Sequence, residues 1–142
     1  MTDLEKLRNW LETFPGFAEL QSVQVDLADR TEDSAGVFPG GLSELRRRTD
    51  IFGRVTVENR YSFGIWLSLK KAAEDPDISR RNAEWLLELQ SFVQEQSARG
   101  LVPVFGDRTL RIQARKGALR ETDLGGRGLY KVDLTVDFVK EF

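Results

Sequence analysis

The chain contains no cysteine and no histidine among its 142 residues. Without cysteine it can form no disulfide and no thiolate metal site. Without histidine it lacks the commonest general base and the commonest metal ligand, so this chain alone cannot build a Ser-His-Asp triad or an imidazole zinc site. It also has no apolar run that approaches the roughly 20 residues a membrane helix needs. We therefore expect no catalytic, cofactor-binding or metal-binding residues, no cofactor and no membrane partner.

The charges are close to balanced, with 21 basic and 23 acidic residues and a formal net charge of −2. A dedicated nucleic-acid binder gains most of its affinity by neutralising phosphates with lysine and arginine, so this balance argues against specific nucleic-acid binding. The first residues, MTDLEKLRNW, are charged and helical in pattern rather than typical of a signal peptide. The length predicts a single domain over residues 1–142, made in the cytoplasm.

The N-terminal third predicts a helix, a strand and a loop. Residues 2–14 have apolar side chains at helical spacing, and Thr2 and Glu5 have the spacing of a capping box. Pro15 and Gly16 end this helix. Residues 22–27 alternate apolar and polar side chains, which predicts a short strand. Residues 29–41 are acidic, small and glycine-rich, which predicts a mobile loop.

Residues 55–69 carry the strongest strand signal in the sequence. Residues 42–50 before them predict a further strand, and Ile51-Phe52-Gly53 predicts a turn that leads into residues 55–69. A period of two places alternate residues of a strand on opposite faces of a sheet. The apolar set of residues 55–69 comprises Val55, Val57, Tyr61, Phe63, Ile65, Leu67 and Leu69, with Asn59 as the one exception to its parity. We therefore expect one buried and one wet face.

The second half predicts a long helix and two more strands. The helix begins at Asp75 and Pro76, runs to about Arg99 and stops at Gly100. Its predicted buried stripe comprises Ile78, Trp85, Leu86, Leu89, Phe92 and Val93. Residues 101–107 predict a loop, residues 110–114 a short strand, residues 116–128 turns, and residues 129–139 the closing strand.

These elements predict an α+β fold, with a mainly antiparallel sheet of four to five strands and two main helices packed on one face. The other face is left for solvent or a partner. It carries Arg60, Lys131, Asp133, Thr135 and Asp137. Trp66 has the parity of this wet face, and a tryptophan in such a place often marks a protein interface.

Three groups of residues are candidates for chemistry, and each has a simpler interpretation. Residues 125–128, GGRG, could cradle an anion, but a tight turn is favoured because the spacing of a phosphate-binding loop is absent. Asp133 and Asp137 share a strand face but stand about 13 Å apart, which favours a solvated face over a shared ion. The arginines at 46–48 favour a solvated or protein-interface role over nucleic acid.

Three segments of the second half resemble a family of small tailed-phage proteins common in prophages. They are NAEWLLELQSFVQEQSARGLVPVFGD at 82–107, LRIQARKGAL at 110–119 and LYKVDLTVDFVKEF at 129–142. FPGF at 14–17 and VQVDL at 23–27 are similar to the family's opening. These proteins are tail-completion or tail-terminator proteins, also grouped with minor capsid or minor tail proteins.

The resemblance implies a structural protein rather than an enzyme. Proteins of this type cap the tail tube, end its polymerisation and provide the surface to which the head docks. The implied partners are further copies of the chain in a ring, typically six-fold, together with the major tail protein and a head-completion or connector protein. The implied location is the virion, and the host cytoplasm during assembly. Copies in the ring are expected to meet through sheet edges and residues 29–41 and 116–128.

Alternatives remain open at this point. A head-tail connector or head-completion protein has a similar size to a tail terminator and also assembles as a ring. A small α+β adaptor that binds one cellular protein belongs to a different class. An enzyme that uses two carboxylates brought together by the fold is a further possibility.

Overall fold

A computed structural model describes residues 1–19, 22–25, 34–70, 76–122 and 127–142. Its elements, in chain order, are α1 (Asp3–Leu11), a 3-10 turn (Pro15–Glu19), β1 (Ser22–Val25), β2 (Ser34–Thr49), β3 (Val55–Lys70), α2 (Pro76–Ala98), β4 (Arg108–Thr122) and β5 (Arg127–Glu141).

The strands form one sheet in the order β1-β2-β3-β5-β4. The four long strands pair antiparallel, and the short β1 runs parallel to the start of β2. The predicted α+β class with a mainly antiparallel sheet is confirmed. Hairpins join β2 to β3 and β4 to β5, whereas β3 reaches β5 only after the chain has passed through α2 and β4.

The core lies between one face of the sheet and the two helices, chiefly α2, and it includes the fully buried Leu7 and Leu11 of α1. The period-two pattern predicted this face correctly on the two central strands, because Ile65 and Leu67 of β3 and Val132 and Leu134 of β5 are fully buried. Asn59, the exception in that pattern, is buried as well. Alternation thus assigned the faces of both central strands.

The helix α2 packs on the core face through the predicted stripe. Leu89 and Val93 are fully buried, and Trp85 and Leu86 nearly so. The helix ends in a Schellman motif, in which Gly100 has a φ of +71° and the amide of Leu101 donates to the Gln96 carbonyl at 2.9 Å. Glycine suits this position because a left-handed conformation costs it little.

The helix α1 lies against α2 and also approaches the sheet, where Leu4 lines a pocket with Tyr61 and Phe63. Its predicted capping box is present, with Thr2 and Glu5 as the reciprocal pair. Just after α1, the ring of Phe14 packs edge-on against Trp85 of α2, with centroids 5.3 Å apart. The Tyr61 hydroxyl donates a hydrogen bond to the Asp3 carboxylate at 2.9 Å. Burial, and to a lesser extent the Asp3 carboxylate, raises the pKa of the Tyr61 phenol, so the hydroxyl remains a donor at neutral pH. Of the two helices, α2 is the one that packs on the sheet.

The loop predicted at residues 29–41 is wrong from residue 34 onward, because β2 begins at Ser34. Ala35 and Val37 are fully buried, and this stretch pairs with β3 as far as Pro39 before a register shift. Ladder hydrogen bonds and two small apolar side chains outweigh the low strand propensity of its glycines. Residues 29–33 lie outside the described ranges.

The turns predicted at residues 116–128 are also wrong in part. The strand β4 continues to Thr122, and β5 begins at Arg127, so only residues 123–126 remain between them, outside the described residues. Register shifts interrupt β4, and Lys116 has a φ of +58°. The shift between Arg115 and Ala118 lets β4 stay paired on both sides of Lys116 and Gly117. Deletions in either predicted loop would therefore remove sheet pairs.

Leu89 and Leu87 give a matched test of the core. Replacing the fully buried Leu89 with alanine should lower the free energy of unfolding by about 2–5 kcal/mol, because it leaves a cavity against the sheet. Leu87→Ala, two residues along α2 at 64% exposure, should change it by less than about 0.5 kcal/mol in dilute protein. Urea unfolding followed by circular dichroism measures both. Equal losses would mean that α2 does not pack on the sheet as described.

Candidate interaction surfaces

The turn between β2 and β3, residues 50–54, presents two large apolar side chains to solvent. We call this segment the hairpin tip. Ile51 is 94% exposed and Phe52 is 86% exposed. An isolated exposed leucine or isoleucine is ordinary on a protein surface, but adjacent aliphatic and aromatic side chains at the end of a hairpin form a compact apolar projection.

Asp50 fixes the shape of the hairpin tip. Its Oδ1 accepts hydrogen bonds from the amides of Phe52 and Arg54, both at 2.9 Å. The amide of Gly53 donates to the Asp50 carbonyl at 3.1 Å, and Gly53 adopts a φ of +81°. Residues 51–53 thus form a three-residue hairpin loop between Asp50 and Arg54, and its last residue, Gly53, is in the left-handed conformation. The two apolar side chains are therefore displayed on an ordered turn.

The exposed surface continues from the tip along β2. Residues 39–50 are all exposed, including Leu42 at 56% and Leu45 at 43%. Among the described residues, β1 pairs with residues 34–37 of β2 and leaves the rest of this edge without a strand beside it. The start of α1 approaches only the near end of the stretch, where Leu4 lines a pocket with Pro39 and Leu42. One edge of the sheet thus carries a string of apolar side chains that ends in the hairpin tip.

The face of the sheet opposite α2 carries an ion network that crosses all four long strands. Arg60 of β3 holds Asp137 of β5 in a bidentate pair, with nitrogen-oxygen distances of 2.7 and 3.0 Å. Arg111 of β4 bridges Asp137 at 3.4 Å and Glu58 of β3 at 3.7 Å. Arg46 of β2 lies 4.0 Å from Glu58. The network ties side chains of neighbouring strands together.

Asp137 corrects the prediction of a solvated face. Its side chain is only 2% exposed, although it lies on the face that alternation assigned to solvent. The guanidinium groups of Arg60 and Arg111 cover it, and the hydrogen bond to Asp137 raises the pKa of Arg60. Asp133 does lie partly in solvent, where it pairs with Lys131 at 3.3 Å. Alternation predicts on which face of the sheet a side chain lies. It does not predict whether long side chains from neighbouring strands shield that side chain from solvent.

Trp66 lies on the same open face, as its parity predicted. The ammonium of Lys131 is 5.5 Å from the centre of its ring, within the range of a cation–π contact. Gly64, next to it on the face, leaves room for the lysine side chain, whose Cε is 3.1 Å from the position of an added Cβ. Trp66 is therefore partly covered by its own chain.

A groove runs between α2 and the edge strand β4. Its apolar end has a volume of about 380 Å3 and is lined chiefly by Ala83, Leu86, Leu87, Ala118, Leu119 and Tyr130. Leu87 and Leu119 are 64% and 39% exposed. The groove continues past Leu87 into a polar stretch of about 500 Å3 that includes Gln90, Gln94 and Arg115. We call it the α2–β4 groove.

The remaining sequence candidates do not form a reactive site. The arginines at 46–48 split between the two faces of β2, and Arg47 pairs with Glu44 at 2.8 Å. Of residues 125–128, only Arg127 and Gly128 are described, and both belong to β5. Within the described ranges, no three acidic residues come together in a way that could hold a metal ion.

No protein-family model and no curated protein matches this chain. Among the described residues, no helix is both long enough and apolar enough to cross a membrane.

The sequence pattern at Ile51-Phe52-Gly53 predicted only a turn. The same residues also indicated an exposed apolar surface, because large apolar side chains in a turn are too far from the core to pack against it. The α2–β4 groove had no such signal, since it depends on the register at which β4 passes beside the helix. The burial of Asp137 likewise depended on cross-strand neighbours that one sequence does not reveal.

Asp137 and Asp133 offer a matched pair on one strand face. Asp137→Asn should lower the free energy of unfolding by about 1–3 kcal/mol, because two arginines lose the charge of their buried partner. Asp133→Asn removes a partly exposed pair and should cost less than about 1 kcal/mol. Chemical denaturation at moderate salt compares the two. The network is not structural if both variants lose the same amount.

Asp50 controls the order of the hairpin tip. Asp50→Ala should cost about 0.5–1.5 kcal/mol and speed hydrogen exchange at the amides of Phe52 and Arg54, since both lose their acceptor. Asp50→Asn keeps a side-chain oxygen and should retain most of the protection. Amide exchange followed by NMR measures this directly. Equal exchange in the alanine and asparagine variants would contradict the assigned role.

Proposed function

We propose that the protein is a tail-terminator-like ring subunit of a tailed phage or prophage, which caps the tail tube, ends its polymerisation and forms the surface to which the head joins. The phage context rests on the sequence resemblance at residues 82–107, 110–119 and 129–142. Its partners are further copies of the chain, the major tail protein and a head-completion or connector protein.

The observation that carries an assembly role is the hairpin tip. Ile51 and Phe52 are almost wholly exposed, and the Asp50 carboxylate orders the turn that presents them. Rigid apolar side chains lose little conformational entropy on binding, which makes them efficient anchors at protein interfaces. A subunit that must recognise the end of a protein tube needs such anchors more than it needs a pocket for chemistry.

The open sheet face supports a scaffold role over the carboxylate-enzyme alternative. Glu58 and Asp137 lie near each other because both contact Arg111. Asp137 is also held by Arg60 in a bidentate pair and is shielded from solvent. A carboxylate that must exchange protons with a substrate has to reach it, whereas the described contacts of the Asp137 carboxylate are with the guanidinium groups of Arg60 and Arg111. The arrangement stabilises the sheet.

Nothing in the geometry favours the connector alternative or the cellular adaptor over the terminator, and phage morphology separates them. The gene should be deleted in the strain that encodes it, and the particles released should be examined by electron microscopy. We expect overlong or uneven tails beside full, unattached heads, because the tube then grows without a cap.

The other morphologies decide against the terminator. Tails of normal length that fail to join heads would assign the protein to the connector class. Normal virions from the deletion strain would remove both phage roles and leave the adaptor. Restoring the gene on a plasmid is the matched control, because it must return tails of uniform length if the defect belongs to this protein.

A further inference from the structure

The open face of the sheet has a hollow at the end where the hairpin tip lies. Its volume is about 260 Å3, and its walls include Arg46 and Arg48 of β2 and Arg108 of β4. Its floor lies on the two central strands, where Thr56 of β3 pairs with Glu141 of β5. We call it the basic hollow.

Two arginines border the basic hollow from opposite margins of the sheet. Because β3 and β5 separate β2 from β4, the backbones that carry Arg48 and Arg108 stand roughly 14 Å apart at about 4.8 Å per strand. Both side chains are exposed. A group seated over the two central strands can therefore be approached by an arginine from either side.

Basic charge exceeds acidic charge in the hollow and in the ion network beside it. The arginines there are Arg46, Arg48, Arg60, Arg108 and Arg111, and the acids are Glu58, Asp137 and Glu141. Five arginines and three acids leave a formal side-chain charge of +2, whereas the whole chain carries −2. The next charged side chains around this end of the sheet add three bases and three acids, Arg47, Arg54, Lys140, Glu44, Asp50 and Asp107. The excess therefore remains +2.

Arg48 and Arg108 are the arginines of this set that have no carboxylate partner. Within the described ranges, no ion pair of 4.0 Å or less involves either guanidinium group. Each guanidinium offers five N–H donors in a planar fork that matches the oxygens of a carboxylate or a phosphate. These two side chains are therefore the donors available to an anionic ligand.

The lining of the hollow favours a carboxylate over a phosphate. Leu110 and Val139 are half-buried apolar side chains in it, which suit the methylene groups of an acidic side chain. Glu58 and Glu141 lie in the same hollow. Their charge opposes a phosphate monoester, at about −1.5 to −2, more strongly than it opposes a single carboxylate. The same acids disfavour a nucleic-acid backbone, which binds by having many phosphates neutralised.

The hairpin tip favours a protein as the source of the carboxylate. The tip follows the arginines of β2 directly in the chain, and Ile51 and Phe52 are almost wholly exposed on it. Arginine and large aromatic residues are enriched at the energetic centres of protein interfaces. A free anion would use the hollow alone, whereas a protein surface can contact the hollow and the apolar tip together.

A second copy of this chain offers few carboxylates that lack a partner. Of the four acidic residues of α2, three already pair with arginines on the same helix. Asp77 and Glu84 pair with Arg80, and Glu95 pairs with Arg99. A different protein with an unpaired acidic segment is therefore the better occupant.

We propose that the basic hollow is a docking site for an acidic segment of a different protein, and that Arg48 and Arg108 hold a carboxylate of this segment. Charge complementarity of this kind steers the approach of two proteins and fixes how they are oriented. The inference deepens the proposed function and rests on it for the place of the partner, which is the contact with the tail tube or with the head-completion protein.

An NMR titration of the isotope-labelled protein with a hexaglutamate peptide tests the site. The peptide is capped at both ends, so it carries only side-chain carboxylates, and a capped hexaglutamine peptide is the uncharged control. We expect hexaglutamate to shift the Nε–H signals of Arg48 and Arg108 in a saturable way, because charge-assisted hydrogen bonds form at these groups. The signal of Arg47 should shift less, since Arg47 pairs with the buried Val57 and lies on the other face of β2.

Two double variants separate a site from general charge attraction. Arg48→Gln with Arg108→Gln should weaken hexaglutamate binding by on the order of tenfold or more, because both forks are lost. Arg47→Gln with Arg80→Gln removes the same formal charge outside the hollow and should change the affinity by less than about twofold, since exposed charges at a distance are screened. All four arginines are exposed, so both variants should keep the fold, which circular dichroism verifies.

Four results would overturn the proposal. Equal weakening in the two double variants would mean that the peptide responds to net charge rather than to a site. Tighter binding of inorganic phosphate or of a duplex DNA oligonucleotide at these signals would assign the hollow to phosphate. Shifts of the same signals when the protein alone is concentrated would place a second copy in the hollow. The absence of a saturable shift with hexaglutamate would remove the carboxylate site.

The titration is independent of the phage phenotype. Equal weakening in both double variants together with overlong tails in the deletion strain would reject the docking site and keep the terminator role. Binding that requires Arg48 and Arg108, together with normal virions from the deletion strain, would reject the terminator role and keep the site.

Discussion

The unbroken antiparallel pairing of β3 with β5 is the constraint on which the rest of the structure depends. Fifteen consecutive pairs join Thr56–Lys70 to Arg127–Glu141 without a register shift, whereas the pairings of β2 with β3 and of β4 with β5 both contain shifts. A slip of one residue would send every side chain of a strand to the wrong face. This register therefore fixes, at once, which side chains form the core and which meet on the open face.

The open face follows from the same register. It places Arg60 directly opposite Asp137, so that a bidentate pair forms across the centre of the sheet. Arg111 then reaches the same carboxylate from β4. The register shifts lie instead in the pairings of β2 and β4, and such bulges interrupt the ladder that an edge strand would otherwise present. A regular centre with irregular margins is compatible with the ring subunit that we propose.

The sequence predicted the structure best where the apolar residues follow a single period, because such a pattern arises from the burial of one face of one element. Alternation in β3 and β5 gave their faces, and helical spacing with a terminal glycine gave the stripe and the end of α2. It was least informative at residues 34–41 and 116–122, where glycines and charges mimic loops. Those residues remain strands because a neighbouring strand supplies ladder hydrogen bonds, which is a long-range condition. The hairpin tip was visible only as a turn, and the groove, which arises from two distant segments, had no local signal.

Location in the particle tests the central claim, an assembly role at the end of a phage tail, most directly. A unique cysteine at an exposed position such as Glu95 could carry a gold label into assembled virions without competing thiols in this chain. Electron microscopy of the labelled particles should place the label at the junction between the tail tube and the head. Label distributed along the tube or over the capsid, or its absence from complete virions, would contradict the account.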